Sequence, residues 1–534
     1  MKKNSLMEGA LIATFGIVIV KVIGLLYVIP FNAIIGEQGG ALYGYAYNIY
    51  QLFLSISSAG FPFAISKLTS EYSALGYKKA VHDTYKLSVK IILVISVVIF
   101  IILFLFAPSI GRLIIGKSTE GNTYQDIAFV IRMVSFAILV VPFLSVTKGF
   151  LQGHKYIAPT SISQIIEQIV RVIVILVGSY VCLKVLKTDL KTAVGIAVSG
   201  AFFGGIFAYI YLKMKMKRAK LLPKVDKKDK EEISSKEIIK KILTYSIPFI
   251  IISLVYNLYN TVDMILVSRT MKDILNLPID RVESVVSIFT TWGVKLNNII
   301  LAIITGLTTS LIPNIVSSFT KGDKKDVDSK FNKAIQYVLF IMVPSTLFLS
   351  FLSEPVWTLF YGESNYGPNV YSVFVLAALF GGMYSVVVNT LQGLSKYKLV
   401  ITTVLIGLFI NTVLDVPFML IAYKLGYEVS HGAVIAAVTG YTVSIIISLF
   451  TLHHKYGFNF SDTRKKLPKY ILSWLVFEII IVVLKLFVPT TLHGRLIQIP
   501  ILGLYGVVSF GVYFAINYFN GNMKNLFDFK RRKK

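Results

Sequence analysis

Long apolar runs recur along the whole chain, separated by short polar breaks. They are continuous rather than alternating, so they predict helices and not the strands of a barrel. One bilayer crossing takes roughly 20 apolar residues. Fourteen stretches of that kind lie near 6–35, 41–66, 87–107, 127–147, 157–183, 192–212, 242–267, 285–317, 334–353, 370–394, 399–422, 432–452, 470–488 and 496–519. The first lacks a small-residue cleavage site after a short apolar core, so it reads as a retained span rather than a signal peptide. The fold class this predicts is an all-α polytopic membrane protein with fourteen transmembrane helices.

Composition narrows the class. Of 534 residues, 55% are hydrophobic and 15% charged, against roughly 25% charged in a soluble domain. A soluble enzyme is excluded. So is a disordered nucleic-acid binder, which needs low hydrophobicity to stay unfolded. The net charge of +27 is read as topology. With the N-terminus inside and sides alternating, 38 of the 54 basic residues fall on the inner side and 11 on the outer. That is the positive-inside bias of a multi-pass protein of the cytoplasmic membrane with both termini cytoplasmic. The linker 213–241 and the FKRRKK tail read as solvated basic segments against anionic headgroups. Cys182 is the sole cysteine, so neither a disulfide nor a Cys-rich metal site is available. No G-x-x-x-x-G-K-[ST] loop and no H-E-x-x-H motif occurs. With loops this short, a transporter without a cofactor is expected rather than an enzyme, and no nucleic-acid partner.

The chain repeats itself. LQGHKY at 151–156 matches LQGLSKY at 391–397, each after the fourth span of a set of six. Pro62–Ser66 matches Pro313–Ser317, and the Pro108 to Gly116 stretch matches Pro355 to Gly362. Three matches in the same order argue for a duplicated six-span unit. An even number of spans returns the chain to its starting side, so the two units run parallel, as in several transporter folds. The organisation expected is an N-terminal six-helix lobe (1–212), a basic linker (213–241), a C-terminal lobe (242–455), and accessory helices with a basic tail (456–534), with a central cavity between the lobes.

Besides Lys485 at the outer end of its span, counted above with the outer side, five basic residues fall inside spans: Lys21, Lys90, Arg132, Arg171 and Lys295. An ionisable group at bilayer depth needs a partner or a wet cavity. Lys21 has apolar flanks on both sides and stands too deep to reach either interface with ease. It lines a cavity or pairs with another span. Glu167 and Arg171 are spaced i, i+4 and share a helix face, either as a self-neutralising pair or as a cavity lining. Arg132 lies near the outer end of its span. Lys295 is deeper, beside Asn297 and Asn298. In the second half, Asp263 and the pair Asn411 and Asp415 reach similar depths. Their oxygens suit a hard cation, or two carboxylates could share a proton, or each could cap or pair separately. Tyr43, Tyr45, Tyr47 and Tyr50 cluster as an interfacial belt would.

The run KVIGLLYVIPFNAIIGEQGGALYGYAYNIY, then SAGFPFAISKLTSEYSALG, and the two LQG motifs together resemble the multidrug/oligosaccharidyl-lipid/polysaccharide exporter superfamily. Within it the chain looks like the stage V sporulation protein B branch of polysaccharide flippases, close to the lipid II flippases. The resemblance implies movement of an undecaprenyl-linked sugar precursor between leaflets, with membrane lipids and wall-synthesis proteins as partners. It implies a cationic cavity for the pyrophosphate headgroup. Lys21 falls where those flippases carry a cavity arginine, while their second arginine is replaced by Leu25, Leu26 or Tyr27. Asp263, Asn411 and Asp415 match a sodium-site pattern, with Ala437 where a threonine is usual and Thr439 two residues on. Sodium or a proton is the coupling ion this implies. A drug or metabolite cation antiporter of the same superfamily is the alternative, ahead of a membrane glycosyltransferase or a scaffold.

Overall fold

The computed structural model describes residues 6–116, 120–223, 233–490 and 492–526. Among them it is helical, with no strand. Thirteen helical segments are long and apolar enough to cross a membrane, and Phe15–Leu26 forms a shorter apolar helix. One of the thirteen, Val28–Ala74, would be about 70 Å long as a single rod, far beyond a bilayer core. The backbone breaks inside it at Gly36 (φ 66°, ψ −165°), a conformation open essentially to glycine alone. Residues before the break continue α1 (Leu6–Leu26) and complete the first crossing; residues after it make the second. The helices thus accommodate fourteen crossings, and the loop between the first two shrinks to a single residue.

The chain forms two compact units, Met1–Lys295 and Leu296–Lys534. In the first unit, α2 (Val28–Ser58) bends at Gly60 into α3 (Phe61–Ala74). Then follow α4 (Lys78–Ile115), α5 (Tyr124–Ser135), α6 (Val141–Gly153), α7 (Ile157–Ile173), α8 (Leu190–Arg218), α9 (Ser235–Arg269) and α10 (Ile279–Ser287). The second unit holds the body of α11 (Gly293–Thr320), α12 (Lys324–Phe351), α13 (Ser353–Tyr361), α14 (Gly367–Gly393), α15 (Tyr397–Lys424), α16 (Val429–Tyr456), α17 (Ser461–Phe487), α18 (Gln498–Phe519) and α19 (Asn522–Leu526).

The first compact unit runs on to Lys295, whereas the sequence repeat turns over at the linker 213–241. The reason is that α9 and α10 follow the linker in sequence but pack on helices that precede it. Phe249 on α9 packs on Phe63 with ring centroids 4.7 Å apart, and the Gly60 backbone lies against Ser246. Arg269 on α9 donates to the Arg112 and Leu113 carbonyls at the end of α4 at 2.6 and 3.1 Å. These are the carbonyls that a helix end leaves without internal partners. Part of the linker, 224–232, lies outside the described residues, as do FKRRKK and the N-terminal Lys2 and Lys3.

The repeat is visible in the backbone. After Leu151, Lys155 takes φ 66°, and the Tyr156 amide returns to the Leu151 carbonyl at 2.9 Å. After Leu391, Ser395 takes φ 58°, and the Lys396 amide returns to Leu391 at 2.8 Å. Both are left-handed helix terminations of the same hydrogen-bond pattern. Gly153 packs on Ser66 and Thr69, while Gly393 packs on Ile312 and Val316. Gly116 and Gly362, the ends of the third matched pair, both turn with positive φ (73° and 86°).

Candidate functional site

The candidate residues of the first unit gather from α1, α2, α6, α7 and the start of α11. On α1, Phe15, Val18, Val22 and Leu26 form an exposed apolar stripe. At about 100° per residue, Lys21 lies roughly a quarter turn off that stripe, so it does not share the lipid-facing side. α1 is seated on α7 through close approaches of Gly16 to Ser161 and of Gly24 to Gln168. Lys21 is exposed and near enough to Lys295 for the two ammonium groups to repel one another. Lys295 is half-buried, with its ammonium 5.4 Å from the Tyr27 ring centroid. Among the described residues neither lysine has a carboxylate partner.

Glu167 and Arg171 do pair, at 2.9 Å, and Glu167 also binds the Lys148 ammonium at 3.0 Å. The group is a triad of two cations on one carboxylate, not the self-neutralising pair of two. Lys148 was missed because it sits next to the LQG turn, where a lysine is unremarkable. α8 accommodates α7 with glycines: a Cβ at Gly204 would meet the Glu167 carbonyl, and one at Gly200 would meet the Arg171 backbone. From α2, Tyr43, Tyr47 and Tyr50 form a ladder, with centroids 5.3 and 5.5 Å apart. All three phenols lie within electrostatic reach of Arg171. They belong to this cluster rather than to an interfacial belt alone. Spacing i, i+4, i+7 was the sequence signal for that shared face.

Arg132 does not join them. Its Nε donates to the Phe104 carbonyl at 3.1 Å, and its guanidinium stands 5.5 Å from the Phe104 ring centroid. Phe104 is four residues before Pro108, inside α4. Proline has no N–H to give that carbonyl, and Arg132 supplies the missing donor.

The coupling-ion candidates fall in different units and are described separately. Asp263 is half-buried on α9 in the first unit. Asn411 and Asp415 are fully buried on α15 in the second. They continue a row with Thr403, Gly407 and Met419 that faces α16. There Gly440 abuts Gly407 and Asn411, and Gly432 abuts Phe418 and Met419. Thr439 donates to the Ile435 carbonyl of its own helix at 2.7 Å. The oxygen donors of Asn411 and Asp415, one turn apart, fit a hard cation in kind. Among the described residues no cluster of three His, Cys, Asp or Glu exists that could hold a metal.

A family model described as polysaccharide biosynthesis protein matches residues 6–319. The chain is 31% identical over 471 residues to the lipid II flippase MurJ of Bacillus subtilis (strain 168), covering 87% of this chain and 85% of that one. It is 27% identical over 183 residues, 34% of each chain, to the stage V sporulation protein B of the same organism. Among solved structures, a lipid II flippase MurJ in an inward closed conformation superposes with a TM-score of 0.66 at 18% identity, over 97% of this chain and 99% of that one. The sporulation branch named from the motifs is thus matched over a third of the chain and the MurJ branch over most of it. The chain belongs to the polysaccharide biosynthesis protein family, in the MurJ-like branch of the multidrug/oligosaccharidyl-lipid/polysaccharide exporter superfamily, and is a multi-pass membrane transporter.

Proposed function

We propose that this chain is a flippase for an undecaprenyl-linked, pyrophosphate-bearing oligosaccharide or peptidoglycan precursor such as lipid II, carried across the cytoplasmic membrane by alternating access. The observation that supports it most is that Lys21 and Lys295, two span lysines within electrostatic reach of one another, have no carboxylate partner among the described residues. Holding like charges together in a low-dielectric setting is costly, and a bound dianion removes the cost. A lysine acts on such a group as a point charge rather than a bidentate fork. The prenyl tail stays in lipid. The same pair disfavours a cation antiporter, whose ligand it would repel.

Coupling belongs to the same proposal. Asn411 and Asp415, one turn apart on α15, are the oxygen donors for a sodium ion, or Asp415 is the carboxylate that exchanges a proton; Asp263, in the first unit, is a separate carboxylate candidate for the same role. Asp415 is wholly buried, and a buried carboxylate must be neutralised by a cation, a proton or hydrogen bonds.

The test is rescue of a bacterial strain depleted of its lipid II flippase. Wild type restores growth, and Lys21→Ala and Asp415→Ala do not, although both are present in the membrane at wild-type levels. Failure of the wild type would move the substrate to another lipid-linked polymer unit.

A further inference from the structure

Apart from the Lys21–Lys295 pair, the first unit holds a cationic group whose donors are only partly used. The Lys148 ammonium takes one oxygen of Glu167 at 3.0 Å, and Arg171 Nη2 takes the other at 2.9 Å. One carboxylate thus serves two cations, leaving a net positive charge. The Nε–H of Arg171 is buried and has no hydrogen-bond partner. Neither has the hydroxyl of Tyr50, a residue only 1% exposed. Tyr50 lies within electrostatic reach of both Arg171 and Glu167.

A guanidinium presents its five N–H groups in a planar fork, and oxyanions dock on its edges with two parallel hydrogen bonds. Glu167 takes an Nη2 hydrogen and fixes the plane of the guanidinium from one side. The Nε–H takes no second carboxylate, and the Tyr43, Tyr47 and Tyr50 phenols lie within electrostatic reach of the guanidinium. Tyr50 is held in place by its packing on Tyr47, which itself stacks on Tyr43. Unpartnered hydroxyls occur elsewhere in the chain, but here an unpartnered guanidinium N–H belongs to a group with surplus positive charge, the combination that an anionic ligand satisfies.

We infer that Arg171 Nε and the Tyr50 hydroxyl form a second oxyanion subsite in the first unit, with Glu167 and Lys148 as its positioning residues. It takes an oxygen of the carried headgroup, from the diphosphate or from a carboxylate on the sugar or peptide. The inference rests on the headgroup reading above and adds to it hydrogen-bond donors beyond the Lys21 and Lys295 ammonium groups.

Calorimetric titration of the full chain in detergent tests it, using inorganic pyrophosphate and N-acetylmuramic acid as probes, with N-acetylglucosamine as the neutral control. Arg171→Lys keeps the charge and removes the fork. Tyr50→Phe removes one hydroxyl and nothing else. Each lowers affinity about tenfold for the anion that uses the subsite: pyrophosphate if the source is the diphosphate, N-acetylmuramic acid if it is a carboxylate. Glu167→Gln discriminates positioning from bulk charge. Losing a carboxylate raises the net positive charge, so a merely electrostatic role strengthens anion binding, and a positioning role weakens it. Unchanged affinity for both anions in Arg171→Lys and Tyr50→Phe, while Lys21→Ala still loses pyrophosphate, overturns the subsite and leaves the function reading standing. Absence of pyrophosphate binding in the wild type overturns both.

Discussion

Lys21 and Arg132 are both basic residues inside spans, and the structure uses them in opposite ways. Among the described residues Lys21 has no carboxylate partner, and it lies within electrostatic reach of another cation, Lys295. Its removal lowers pyrophosphate affinity about tenfold, or about 1.4 kcal/mol, and Lys21→Arg restores binding because the fork suits phosphate at least as well. Titration calorimetry checks both. Arg132 supplies the donor that Pro108 denies to the Phe104 carbonyl. Arg132→Ala therefore costs about 1–3 kcal/mol of stability, the penalty of a buried polar group left unmade. In a Pro108→Ala background the backbone N–H returns and most of that cost vanishes, a coupling read from a double-mutant cycle of thermal midpoints. Additive effects would contradict it. Lys21 was legible because its apolar flanks leave few explanations for a charge. Arg132 was not, since its partner is a carbonyl on another helix, freed by a proline 24 positions away in sequence. A third residue titrates in a simple way. Asp189 caps α8 by accepting the Thr192 amide at 3.1 Å, and hydrogen bonding with Thr192 holds its carboxyl below the usual range. A depressed carboxyl stabilises the fold above the unfolded value, about 3.9, and loses that contribution as pH falls through the folded value. Asp189→Ala costs about 1 kcal/mol at neutral pH, and the gap in thermal midpoint from wild type closes on acidification.

At the scale of elements, hydropathy located the crossings but not the helices. The apolar run near 87–107 is the middle of α4, which extends from Lys78 to Ile115, about 57 Å at 1.5 Å per residue. Polar helical ends continue into water beyond the apolar band, where periodic apolarity no longer marks them. The expected loop at Gly36–Gly40 became one residue for a different reason. Gly36 turns the chain so sharply that the next helix begins at once, and Gly40 and Gly44 then lie against Trp292 and Thr290. Composition reports glycines there but not which one carries the turn. Gly36→Ala is predicted to cost about 1–3 kcal/mol from its backbone conformation alone, although nothing stands near enough to clash with the added methyl. Gly44→Ala destabilises for the other reason, since its Cβ would overlap Thr290. Thermal unfolding in detergent separates the cases. Thr290→Gly, which removes both the hydroxyl and the Cβ that the new methyl would meet, relieves part of the second and leaves the first unchanged.

For the whole molecule, the duplication was readable because short motifs survived in order, and the structure shows why they did. LQG marks a left-handed termination with a glycine pressed on the neighbouring helix, a geometry few other residues allow. What the repeat did not reveal is that α9 and α10 pack with the first half of the chain, because packing partners are not encoded in the order of matches. The functional reading as a whole rests on directed movement of a diphosphate-linked headgroup. Its most direct measurement is a leaflet-accessibility assay on purified protein in sealed vesicles containing fluorescent lipid II, read by an impermeant quencher. Wild-type protein is predicted to carry label between leaflets, Lys21→Ala and Lys295→Ala vesicles to match protein-free ones, and a neutral polyprenol analogue to stay put. Equal transfer by the lysine variants, or none by wild type under either a sodium or a proton gradient, would contradict it.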